Sequence, residues 1–148
     1  MDLSWIVVSD AARARVFATL TQNIQKEADK NGEWNLIETF DHHDIHKKTF
    51  DNVLGESGSH NFSSGVDGSN PKKIEAANFA QGIAFYLEKG RSEHKYKEII
   101  LIAPSHFMGL LNQHMSKEVI KLIRLSIDKD YTSENEKVLA RRVQEHLG

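Results

Sequence analysis

Three imidazoles and two carboxylates stand within six residues at Asp41-His42-His43-Asp44-Ile45-His46, and His60 follows in the same polar stretch. Zinc, nickel or copper accept such ligands, and His42 with His46 has the i, i+4 spacing that chelates when helical. The segment has little helical support, so solvated loop histidines are the plainer expectation. No cofactor is expected; a divalent metal held there is adventitious or, as the lesser alternative, a native site on His42, His43, His46 and His60. Asp10 ends an apolar run, a position from which a nuclease supplies a carboxylate to paired metal ions about 3.5–4 Å apart. Glu38 and Asp41 are its available partners; a turn cap, or pairing with Arg13 or Arg15, is the plainer role. Arg13, Arg15, Ser105 and His106 make a third candidate, an anion site. Guanidinium forks suit phosphate oxygens, and a helix N-terminus capped by Ser105 offers unpaired N–H groups and a positive dipole end. Ser105 and His106 are not expected to work as nucleophile and base. Neighbours at a helix start point apart, and no Gly-x-Ser-x-Gly elbow surrounds them.

The elements that would position these residues are legible from apolar patterning. Residues 5–8 are a continuous apolar run and 98–103 a strand with Ile99-Ile100-Leu101-Ile102 at its heart, as in strands covered on both faces. Residues 15–20 and 34–40 read as two further strands, with Asn31-Gly32 a turn signal between them. From 55 to 70 the chain holds four glycines and five serines without hydrophobic period, so about 41–70 is expected to be one long loop. Asn70-Pro71 suits a helix start, with Ala76, Phe79, Ala80, Ile83 and Leu87 on one face and a stop near Gly90. A helix from Pro104 and Ser105 carries Phe107, Leu111 and Met115. A short helical turn after Ser116 precedes a strand at 122–127. Ser133 and Glu136 have capping-box spacing for a last helix using Leu139, Val143 and Leu147.

The order βββαβαβα implies an α/β fold with helices on both faces of a mixed five-stranded sheet. Order 3-2-1-4-5, as in ribonuclease-H-like folds, keeps both apolar runs central. Sites in such sheets form at the carboxyl ends of the parallel strands, which brings Asp10 and the two arginines beside Ser105 and His106. The 148 residues make about one domain, 1–148, and 39% hydrophobic residues suffice for a core. No apolar run is long enough to cross a bilayer, no signal peptide is expected, and the reading is cytoplasmic. With no cysteine, disulfides and a thiol nucleophile are excluded. A net charge of −2 argues against a general polyanion coat but leaves a local basic patch open. Lys47-Lys48 and Lys72-Lys73 flank the loop and are offset by Asp44, Asp51, Glu56 and Asp67.

Four segments carry a family resemblance. They are Ser9-Asp10-Ala11-Ala12-Arg13-Ala14-Arg15-Val16-Phe17, Asn70-Pro71-Lys72, Ala103-Pro104-Ser105 with Gly109-Leu110, and Asp128-Lys129-Asp130-Tyr131-Thr132. In that order the chain resembles the bacterial host-attachment family, proteins required for attachment to host cells. Asn70 stands where the family usually has an acid and Tyr131 where it has leucine. The family is similar in turn to the middle domain of archaeal and eukaryotic peptide-chain release factors, which implies a ribonuclease-H-like fold and a link to RNA or the ribosome. The release factors' Gly-Gly-Gln has no counterpart here, since 41–70 contains neither glutamine nor Gly-Gly. The leading expectation is therefore a non-catalytic RNA- or ribosome-associated binding domain. The alternatives are a metal-assisted hydrolase of phosphodiester or peptidyl-tRNA ester bonds, and an adhesion factor. Oligomeric state is not legible.

Overall fold

The computed structural model describes residues 2–24, 34–41 and 71–147. The Asn31-Gly32 turn, the histidines 42, 43, 46 and 60, the Gly/Ser loop and the Asn70 cap lie outside these residues.

Among the described residues five strands form one mixed sheet: β1 Leu3–Ser9, β2 Arg13–Leu20, β3 Asn35–Asp41, β4 Glu98–Ile102 and β5 Ile123–Ile127. Their order is β3-β2-β1-β4-β5, as expected. β1 pairs antiparallel with β2 and parallel with β4, so the two apolar runs lie at the centre. Alternation sorts their side chains. Trp5, Val7, Ile99 and Leu101 face one core, while Ile6, Val8, Ile100 and Ile102 face the other. Each such fully buried side chain contributes about 1.5–3 kcal/mol.

Among the described residues four helices cover the sheet: α1 Pro71–Ser92, α2 Ser105–His114, α3 Lys117–Lys121 and α4 Glu136–Leu147. α1 and α2 cover the first face with Phe79, Ile83, Leu87, Phe107 and Leu111; α4 covers the second with Leu139 and Val143.

Helix ends depart from the sequence reading in three places. α1 does not stop near Gly90 but runs on to Ser92. Gly90 is there for space: a Cβ would lie 2.7 Å from Trp5 Cη2 and 3.1 Å from Tyr96 Cε2. The turn that ends α1 is made by His94 at φ 57°, with Lys95 N–H donating to the Gly90 carbonyl and His94 N–H to that of Arg91. α2 is capped at Pro104 without a side-chain bond, and Ser105 lies inside the first turn. For α4 the cap is Asn135, whose Oδ1 accepts from Val138 N–H at 3.0 Å. Ser133 lies in the turn before it.

Candidate functional site

The carboxyl ends of β1, β4 and β5 lie at one edge of the sheet, together with the start of β2 and the end of β3. The β1–β2 turn there is short because Asp10 closes it. Its Oδ1 accepts from the N–H groups of Ala12 and Arg13, both at 2.8 Å, and its own N–H donates to the Arg13 carbonyl. Oδ2 accepts from the Thr132 hydroxyl at 3.2 Å. Asp10 thus caps a turn and ties it to the segment following β5. Thr132 is held in turn by Asp130, whose Oδ1 accepts from its N–H at 3.3 Å and, at 2.7 Å, shares the single hydroxyl proton with Asp10 Oδ2.

Arg13 and Arg15, two apart on a strand, share the α4 side of the sheet, yet their situations differ. Arg15 is half-buried, its Cζ 5.5 Å from the centre of the Phe17 ring. Its Nη2 donates to the Thr132 carbonyl at 2.6 Å and the Glu134 carbonyl at 2.7 Å. Burial pulls its pKa below the usual guanidinium value, with Glu136 opposing that shift and Arg13 adding to it. Arg13 is exposed, and among the described residues no hydrogen bond or ion pair engages its guanidinium. Both line an open cleft of about 310 Å³ with Thr39, Asp41 and Thr132.

Ser105 and His106 are exposed at the start of α2. The Ser105 hydroxyl donates to Asp128 Oδ2 at 3.2 Å, which sets a carboxylate at the helix's positive end. The four predicted anion-site residues therefore share an edge but fall into two groups, bridged by residues 128–134. Asp128, Asp130 and Thr132 have a part in this site that sequence reasoning missed, since they entered it only as a resemblance motif. The available signal was a Thr and two Asp directly after the last buried strand. Among the described residues no three His, Asp or Glu side chains gather as a metal site.

Residues 5–143 match the family described as "Protein required for attachment to host cells". The chain belongs to that family. The matched span includes Asp10, Arg13, Arg15, Ser105, His106 and Thr132, so the whole edge lies within the family's domain. No curated protein matches. Among solved structures the chain is similar to an archaeal translation termination factor, aRF1, at TM-score 0.41 and 10% identity, covering 97% of this chain and 37% of that one. It is also similar to S. cerevisiae Dom34, titled a translation termination-like factor, at TM-score 0.42 and 14% identity over 96% of this chain and 35% of that one. An "Archaeal protein" matches at TM-score 0.44 and 8% identity, over 97% and 36%. This member of the family spans little more than a third of the length of these structures. Scores this low leave the likeness without weight for function.

Among the described residues no helix is long and apolar enough to cross a membrane.

Proposed function

We propose that this chain is a binding domain for the phosphate backbone of RNA, such as a ribosomal surface exposes, working in the cytoplasm through the carboxyl edge of its sheet. The observation that carries it is the exposed Arg13 guanidinium, unengaged among the described residues, at an open cleft it shares with Thr39 and Thr132. A guanidinium in that setting is a two-pronged donor for phosphate oxygens. Binding fits this edge better than hydrolysis, because all three Asp10 bonds serve the fold and leave it poorly placed to meet a metal ion.

The affinity is expected to be modest. Asp41 lies opposite Arg13 in the strand register, and Asp128 and Asp130 add further negative charge at the edge. One arginine on one phosphate gives a salt slope of only about −0.7 for single-stranded RNA.

The test is titration of a fluorescein-labelled oligouridylate with the full chain at several salt concentrations. Arg13→Ala is expected to weaken binding about three- to tenfold and to flatten the slope by about 0.7. Equal affinity and slope for both proteins would refute the assignment. Turnover of the RNA that stops on Asp10→Asn or on chelation would replace it with the hydrolase alternative.

A further inference from the structure

Arg15 bonds a segment 117 residues away, and the detail of those bonds decides what else it can hold. A guanidinium has two two-pronged faces, Nη1 with Nη2 and Nε with Nη2, and Nη2 belongs to both. Both protons of Nη2 are engaged, on the Thr132 and Glu134 carbonyls. No two-pronged face is left to Arg15 for a phosphate. The same segment is held a second time where the Thr132 hydroxyl meets Asp10 Oδ2, and a third time where Asp128 meets the Ser105 hydroxyl. Residues 128–134 are thereby fastened to the β1–β2 turn at one end and to the start of α2 at the other.

We infer that Arg15 and Thr132 are positioning residues, which clasp residues 130–134 to β2 and the β1–β2 turn and so hold Arg13, the edge's anion donor, through the Asp10 to which its backbone is bonded. The role given to Arg13 rests on the RNA-backbone reading; the clasp does not. Lysine cannot replace Arg15 in this role, because one ammonium on a flexible stem does not span two carbonyls as a planar fork does.

The experiment pairs two readouts on the full-length chain, amide hydrogen exchange and the oligouridylate titration at low and moderate salt. Arg15→Lys and Thr132→Val are expected to speed exchange at 128–135 and leave the central strands protected. Both are expected to weaken binding about three- to tenfold with the salt slope unchanged, because no phosphate contact has been removed. Thr132→Val takes away one hydroxyl and no charge, which keeps the test open if Arg15→Ala does not fold. Unchanged exchange at 128–135 in both variants would overturn the clasp. Wild-type affinity in Arg15→Lys, with a flattened slope in Arg15→Ala, would make Arg15 a direct phosphate ligand and also overturn it. If the wild-type chain binds no oligouridylate, the RNA reading falls, and the exchange result still decides the clasp.

Discussion

The Trp5 ring lies where a side chain on Gly90 would be, and the same ring stacks on Tyr86 at 5.3 Å and packs against Tyr96 at 4.7 Å. Gly90→Ala is expected to cost about 1–3 kcal/mol by overpacking, read as a lower urea midpoint at unchanged slope. The two tyrosines also give the fold an alkaline limit. Burial, with help from Glu38, pushes the Tyr86 phenol up to about 12. Burial, with help from Glu88, raises Tyr96 as well, and its hydroxyl donates to the Leu87 carbonyl at 2.6 Å. A raised folded-state pKa favours the protonated native form. That stability is fully present below the ordinary phenol value of 10.0 and is lost as pH rises through the folded value, near 12 for Tyr86. Denaturation midpoints are therefore expected to hold up to about pH 10 and to fall steadily above it, less steeply in Tyr86→Phe. A midpoint flat across that window would contradict the burial of these phenols.

At the scale of elements, the strands were far more legible than the helix ends. The runs around Val7 and Leu101 could only be central, because four or five adjacent apolar positions in a strand leave no face for water. Residue Gly90 looked like a stop and is a packing site, since helix propensity says nothing about an incoming indole. Ser133 and Glu136 have capping-box spacing, yet Asn135 lies nearer and reaches Val138 N–H first. Asn135→Ala is expected to cost about 1 kcal/mol and Ser133→Ala a few tenths, a difference that thermal denaturation resolves. Equal losses would return the cap to Ser133. β3 was placed one residue early. It carries a bulge opposite Val16/Phe17, where Ile37 is the extra residue between Leu36 and Glu38, and the added local twist makes flat pairing of this outer strand with another sheet harder. The arginine pair shows the same limit as the caps. Spacing of two put Arg13 and Arg15 on one face, but nothing local foretold that carbonyls from 132 and 134 would arrive at one of them.

For the whole molecule, the topology does more than any single residue. Putting β1 and β4 side by side and parallel sends the β1–β2 turn, the start of α2 and the β5–α4 segment to one edge. The first, third and fourth of the segments that carry the family resemblance share that edge, the first and last of them joined by Asp10, Arg15 and Thr132. With a net charge of −2 and several acids on that edge, the proposed RNA binding would gain little from long-range attraction and would depend on Arg13. The most direct measurement is sedimentation of the full-length protein from lysate through a sucrose gradient at low and high salt, with RNase-treated controls and Arg13→Ala alongside. Wild-type protein is expected to travel with ribosomal subunits at low salt and to leave them at high salt or after RNase, while Arg13→Ala stays near the top. Wild-type protein that stays at the top at low salt, or travels equally well with and without Arg13, would contradict a binding domain for the RNA backbone.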